Sequence, residues 1–274
     1  MEKPKLIICD VDDTLILKHH PITPFTKKVI KAAQDLGIYF CICSGRPLFQ
    51  LKEFIDNWEM ESPDFLVGLN GCSILDVHQK KEYTFNLLKK QWIKDIIKLM
   101  EPFDANISMY INESQVFSKN DYYYLDSKNR TKYPCLVYED IKEMYQSDNA
   151  KIMFRITQQQ MPMVEQHVKQ FPSENYHGFK TGPLTFEFCH KDCDKSFGMK
   201  KIAEAYNIDL KEIWAFGDTS NDNRMLQDAG VGICLQNGSE DTKQIANIVT
   251  TKTCKEDGLA WFLVENIQEL KDLR

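Results

Sequence analysis

The stretch Lys5-Leu6-Ile7-Ile8-Cys9-Asp10-Val11-Asp12-Asp13-Thr14-Leu15 decides how the chain is read. Residues 5–10 form an apolar run too short and too continuous for an amphipathic helix, and the run stops abruptly on acid. It reads as a central parallel strand whose carboxyl end carries Asp10, Asp12 and Asp13. Working outward, Thr23 is placed to cap a helix with Pro24 at its first position, Phe25, Val29, Ala32 and Leu36 along one side, and Gly37 as its stop. A second short apolar run, Ile38 to Cys43, closes in Ser44-Gly45-Arg46-Pro47. Strand, helix and strand in that order make a βαβ unit with a right-handed crossover.

The same grammar returns near the C-terminus. Lys195 opens a helix with Met199, Ile202, Ala203 and Tyr206 on one face, Ile213 to Phe216 forms a strand ending in Gly217-Asp218, and Asn221 to Ala229 is helical up to Gly230. Val231 to Leu235, a short helix over 240–246, Ile248 to Thr250 and a last helix from about Asp257 to Glu265 complete the alternation. Both ends of the chain therefore belong to one α/β layer structure, spanning residues 1–83 and 188–274. Between them, residues 84–187 are rich in Tyr, Lys and Gln, and their strand patterns look antiparallel: 107–111 and 115–118 flank a hairpin turn, with 151–157 and 184–188 alternating. Helices are expected over 90–103 and 161–171, which makes this stretch an inserted α+β domain.

Composition removes several function classes. With 34 basic against 40 acidic residues and no basic block, nothing tracks a phosphate backbone, so nucleic acid is not the expected partner. No apolar stretch reaches the length of a membrane span, and residues 1–5 lack the shape of an export signal, so the expected location is cytoplasmic with no membrane partner. Nine cysteines, an odd number, then read as reduced, buried thiols with no disulfides. Neither Cys189 with Cys193 nor Cys41 with Cys43 has a second matched pair for zinc, and the six histidines show no metal-binding spacing.

In an open parallel sheet ligands bind outside the carboxyl ends of the strands. Asp10, Asp12 and Asp13 follow the first strand there, Ser44 the second, and Asp218, Asn221 and Asp222 the strand from Ile213. Clustered carboxylates repel one another in a partly desolvated crevice unless a cation neutralises them, and acids without His or Cys beside them favour a hard, oxygen-seeking ion such as Mg2+. Ser44, the Lys195 ammonium and the amides of the turn from Val11 to Thr14 complement an anion instead. Cation, ammonium and amides together suit a phosphoryl group, which Asp10 could attack while a second carboxylate two residues on handles the leaving-group proton. A plain first-turn lysine is the bland alternative for Lys195, though a helix dipole disfavours it there, and the Tyr122 to Tyr124 cluster reads as packing rather than recognition.

Together these residues resemble the haloacid dehalogenase superfamily, in particular its Cof-type phosphatases, which carry a large cap inserted in a Rossmann-like core. Asp10-Val11-Asp12-Asp13-Thr14-Leu15 resembles the first motif, Ser44-Gly45-Arg46-Pro47 the second, Lys195-Ser196 the third and Gly217-Asp218-Thr219-Ser220-Asn221-Asp222 the fourth, with Asn70-Gly71 and Glu256-Asp257-Gly258 as further matches. The resemblance implies that Asp10 is a nucleophile that becomes an aspartyl-phosphate, that Asp12 is the general acid/base, and that Ser44 and Lys195 hold the phosphoryl oxygens. Gly45, Arg46, Asn70 and Asn221 join Ser44 and Lys195 in the implied substrate-binding set. Mg2+ would be held by Asp10, the backbone carbonyl of Asp12, and Asp218, with Asp222 close behind. Asp13 departs from relatives, which commonly carry Gly, and receives no catalytic role. The implied activity is hydrolysis of a small phosphomonoester, sugar phosphates first, with nucleotides or phosphorylated cofactors behind, under a cap that reads the leaving group; a monomer or weak homodimer suffices for it. A sugar phosphomutase and a non-catalytic metabolite-binding regulator are the alternatives on the same scaffold.

Overall fold

The computed structural model describes residues 1–18 and 20–273; His19 and Arg274 lie outside them. The first third of the chain supplies β1 (Leu6–Cys9), α1 (Pro24–Asp35), β2 (Tyr39–Cys43), α2 (Leu48–Trp58), β3 (Phe65–Gly68) and the hairpin strands β4 (Ser73–Asp76) and β5 (Lys81–Thr84). The inserted stretch follows with α3 (Lys90–Met100), β6 (Asn106–Ile111), β7 (Ser114–Phe117), α4 (Tyr122–Arg130), β8 (Cys135–Val137), β9 (Lys151–Arg155), α5 (Met161–Gln170), β10 (Tyr176–Gly182) and β11 (Thr185–His190). The chain then returns through α6 (Lys195–Tyr206), β12 (Ile213–Gly217), α7 (Asn223–Asp228), β13 (Val231–Cys234), α8 (Glu240–Ile245), β14 (Ile248–Val249) and α9 (Gly258–Asn266). Two compact units result, residues 1–84 with 194–274, and residues 85–193.

In the first unit the strands lie in the order β14-β13-β12-β1-β2-β3-β4-β5, parallel from β14 through β3 and antiparallel across the β3–β4–β5 hairpins. All four residues of β1 are buried, as a strand covered on both faces requires. Helix α1 begins as its sequence indicates: the Thr23 side chain accepts the Thr26 N–H at 3.1 Å, and Pro24 occupies the first turn. Helix α2 is an element that the motif at Ser44–Pro47 overshadows in the sequence. Leu48, Leu51, Ile55 and Trp58 recur at helical spacing and all four are buried, so its formation follows from an apolar face.

The chain leaves β1 toward β2 on one side and reaches β12 on the other, which places the topological switch point at β1. Cys9 is level with Phe216 of β12 and Ile42 of β2. Residues just past those positions therefore emerge together at one end of the sheet.

In the second unit a six-stranded sheet, β10-β11-β9-β6-β7-β8, packs Ile107, Met109, Ile152, Phe154 and Phe188 with Ile93 and Ile96 of α3 and Val164 of α5. The β6–β7 turn has positive φ at both Asn112 and Glu113, the twist a tight hairpin needs. Tyr124 of α4 packs edge-on against Phe117 at 5.6 Å while Tyr122 is exposed, so the tyrosine cluster is split between packing and solvent.

The cysteines require a correction. Cys9, Cys41, Cys43, Cys189, Cys234 and Cys254 are buried free thiols and Cys135 is half-buried, but Cys72 and Cys193 are disulfide-bonded. Linkage depends on proximity in space, which counting and spacing cannot report. No helix among the described residues is long and apolar enough to cross a membrane.

Candidate active site

Asp10 leaves β1 with its backbone N–H bonded to the Phe216 carbonyl of β12 at 3.0 Å, which fixes it between the two central strands. Beyond β12 the chain turns sharply at Gly217. A β-carbon there would lie 2.4 Å from that of Asp222, so only glycine lets the Asp222 side chain fold back under the strand end. Once there, Asp222 Oδ2 accepts the N–H groups of Asp218 (3.0 Å) and Thr219 (3.2 Å) and organises the loop from within.

Lys195, in the first turn of α6, is completely buried. Its ammonium donates to Asp10 Oδ1 and to Asp222 Oδ1, the second bond at 2.5 Å. Burial alone would lower its pKa, but the two carboxylates in contact more than offset that and hold it charged. Asp218 lies beside them and accepts a 2.6 Å hydrogen bond from the buried Thr14 hydroxyl at Oδ1. Oxygens of Asp10, Asp218 and Asp222 fall within 4.8 Å of one another.

One lysine faces three acids, and the electrostatics register the shortfall. Burial is the main force raising the Asp10 carboxyl, with the Lys195 ammonium opposing it and Asp222 and Asp218 adding repulsion. Burial likewise pushes Asp218 up to about 7, against the stabilising Thr14 bond. Asp10 Oδ2 and Asp218 Oδ2 have no partner among the described residues. A set of hard carboxylate oxygens short of positive charge fits a divalent cation such as Mg2+.

The neighbouring turns interlock through backbone. Asn70 N–H donates to the Ser44 carbonyl (3.0 Å) and Leu69 N–H to the Arg46 carbonyl (2.9 Å), while Leu69 and Asn70 both adopt left-handed φ. Gly71 follows at φ +100°, where a β-carbon would stand 2.1 Å from the Asp194 carbonyl oxygen, immediately before Lys195. The buried Ser44 hydroxyl accepts the Arg46 N–H at 3.3 Å, and a β-carbon on Gly45 would lie 3.1 Å from Asn70 Oδ1.

Three residues of the implied set sit differently from a simple reading. The Asp12 carboxylate stands apart from the acid cluster, its two oxygens taken by the Arg46 guanidinium at 2.9 Å each. Arg46, read as a substrate ligand, thus spends its fork on an acid of this chain. Asn221 sits on the exposed side of its loop, accepting from Thr219 Oγ1 at 2.8 Å.

Other residues support the site although the sequence reading gives them no role. Thr14, quoted there only as part of the first motif, is one. Asn237 is another: it donates to the Asp13 carbonyl at 2.8 Å and accepts the Cys254 N–H at 2.7 Å, tying the first loop to the C-terminal segment. Asp241 accepts from Ser220 (2.8 Å) and Asn223 (2.9 Å), and the Ser239 hydroxyl first, with Asn223 and Ser220, holds its carboxyl down at about 2. Thr14 carries a signal, a hydroxyl one residue beyond a run of acids; Asn237, an ordinary polar turn residue, and Asp241, an acid in the first turn of α8, carry none. Asp13 takes φ 63°, a left-handed region that glycine enters freely and that Asp is among the few side chains to tolerate.

Comparison with known proteins agrees with this geometry. The profile of the haloacid dehalogenase-like hydrolases matches residues 7–263. A 5-amino-6-(5-phospho-D-ribitylamino)uracil phosphatase of Bacillus subtilis is 28% identical over 270 residues, covering 96% of this chain and 97% of the relative. Among solved structures, a haloacid dehalogenase-like hydrolase from Bacteroides thetaiotaomicron superposes with a TM-score of 0.84 at 23% identity, over 96% of this chain and 99% of the other. BT1666 from the same organism, described among the phosphatases of that superfamily, gives 0.81 at 25% identity over 96% and 95%. A parallel sheet with its switch point at Asp10, a buried lysine shared between two strand-end acids, and a family match running almost the length of the chain converge: the protein belongs to the haloacid dehalogenase-like hydrolases.

Proposed function

We propose that the protein is a Mg2+-dependent phosphatase that hydrolyses small phosphorylated metabolites through an aspartyl-phosphate on Asp10. The observation that carries this reading is Lys195 shared between Asp10 and Asp222, with Asp218 beside them and one oxygen each of Asp10 and Asp218 open. Asp10, the Asp12 carbonyl and Asp218, backed by Asp222, would hold Mg2+, which when bound supplies positive charge against the phosphoryl oxygens and the clustered acids.

This chain's residues do the rest. Lys195 and the Ser44 hydroxyl orient the phosphoryl oxygens. An Asp10 carboxylate oxygen attacks phosphorus, a P–O bond forms to Asp10, and the ester P–O bond breaks while Asp12 delivers its proton to the leaving oxygen. Water then attacks the same phosphorus, giving its proton to Asp12, and the P–O bond to Asp10 breaks to release inorganic phosphate. The net reaction is one ester and one water to one alcohol and one phosphate, with both acids restored.

Sugar and polyol phosphates are the first substrate class, supported by the ribitylaminouracil phosphate named for the Bacillus subtilis relative. The inserted unit is the element assigned to reading the leaving group. The test is a screen of phosphorylated sugars, polyols, nucleotides and phosphorylated cofactors with and without Mg2+. Phosphate release that needs Mg2+ and favours one group of esters supports the reading; no release from any ester with Mg2+ present overturns it.

A further inference from the structure

Asp12, the residue assigned to general acid/base chemistry, is half-exposed on the turn after β1, and among the described residues its side chain is held only by Arg46. Two parallel N–H···O bonds of 2.9 Å, from Nε and Nη2, fix the plane of the carboxylate as well as its position. Arg46 itself is a long, flexible side chain, and a fork is only as well placed as the stem beneath it. The stem has a support. The guanidinium carbon lies 4.7 Å from the centre of the Phe54 ring, over its face. Phe54, on α2, stacks in turn on Trp58 one helical turn later, at 5.4 Å and 22° between planes, and Trp58 is buried in the core. The Trp58 carbonyl accepts from Lys27 of α1 at 2.7 Å, which secures that end of the column.

We propose that Phe54 is a positioning residue for the acid/base: its ring carries the Arg46 guanidinium, and Arg46 orients Asp12 toward the leaving-group oxygen. The column runs from packed core to half-exposed carboxylate, and each step replaces a freely rotating group with one held against a flat surface. Phe54 has no polar atom and no place in the chemistry. Its effect appears only through the proton that Asp12 transfers. The inference rests on the acid/base reading of Asp12 given above.

That dependence supplies a test which separates positioning from ordinary packing or substrate binding. Phenyl phosphate and p-nitrophenyl phosphate are nearly the same shape, but phenolate leaves poorly without a proton whereas p-nitrophenolate leaves without help. The quantity to compare is kcat/KM, which reports steps only through the first irreversible one, formation of the aspartyl-phosphate. Phe54→Leu, which keeps apolar bulk and loses the ring face, is expected to lower kcat/KM for phenyl phosphate about 10-fold while changing p-nitrophenyl phosphate less than about 3-fold, a fraction of the range general acid catalysis spans. Phe54→Tyr, which keeps the face, should restore both. Arg46→Lys, which keeps the charge and loses the fork, should show the same selective loss and serves if Phe54→Leu fails to fold, as thermal melting would reveal. Asp12→Asn is the reference and should show the pattern most steeply. Equal losses on both esters in Phe54→Leu and Arg46→Lys, with Asp12→Asn selective, overturn the positioning role alone. Equal losses in Asp12→Asn overturn the acid/base reading and the inference with it.

Discussion

Replacing Lys195 with methionine keeps an unbranched side chain of similar length and deletes the ammonium that pairs with Asp10 and Asp222 beside Asp218. In the metal-free protein the three acids are then left with no cation in contact among the described residues. Breaking a buried ion pair by removing one partner costs about 3–5 kcal/mol, because the orphaned charge stays desolvated. For a protein of this size about 2–4 °C of melting temperature corresponds to each kcal/mol, so Lys195→Met should melt roughly 6–20 °C lower in EDTA at pH 8. The acids have one escape, protonation, so the loss should shrink at pH 5. They have one substitute, so Mg2+ should recover part of it at pH 8. The assay is thermal melting of wild type and variant at both pH values, with EDTA and with Mg2+. A variant melting within about 2 °C of wild type in EDTA at pH 8 would show that the lysine does not hold the acids together, since even the lower bound of the estimate exceeds that.

Asp10→Asn should lower kcat/KM by about three powers of ten or more with an unchanged circular dichroism spectrum, and retention of more than about a hundredth of activity would remove Asp10 as nucleophile. Thr14→Val deletes the 2.6 Å hydrogen bond to Asp218 while keeping shape, and calorimetric titration should show weaker Mg2+ binding alongside a stability loss of about 1–3 kcal/mol. Burial raises Asp218 to about 7 and raises Asp10, so the folded protein binds more protons than the unfolded chain and metal-free stability should fall as pH rises from the ordinary carboxylate range through about 7. Mg2+ favours the ionised acids, so its melting increment should grow between pH 5 and pH 8, and an equal increment at both contradicts the shared site.

What is legible in the sequence is local. Apolar runs ending in Asp10, Ser44 and Asp218 announce strand ends, and alternation of strand and helix makes those ends meet at one edge of a sheet, so the order of residues alone groups the acids with Lys195. Partnerships between distant residues are not legible. Nothing in the spacing of Asp12 and Arg46 shows that the arginine turns onto the acid, because that depends on how two loops interlock. Asn221 and Asp222 look equivalent as neighbours, yet the glycine at 217 draws only Asp222 inward. Helix α2 is easily missed because Arg46-Pro47 reads as the end of a motif, although Leu48, Leu51, Ile55 and Trp58 spell out an apolar face immediately after it. The bonded state of Cys72 and Cys193 cannot be read from an odd count of cysteines.

The central claim is that phosphorus passes through Asp10 on its way to water, and the stereochemical course at phosphorus tests this most directly. A phosphorothioate ester made chiral with two oxygen isotopes is hydrolysed in water labelled with the third, and the configuration of the released thiophosphate is determined. Two successive in-line displacements, one by Asp10 and one by water, each invert phosphorus, so the account expects net retention. Net inversion would mean a single direct attack by water and would contradict the aspartyl-phosphate assigned to Asp10.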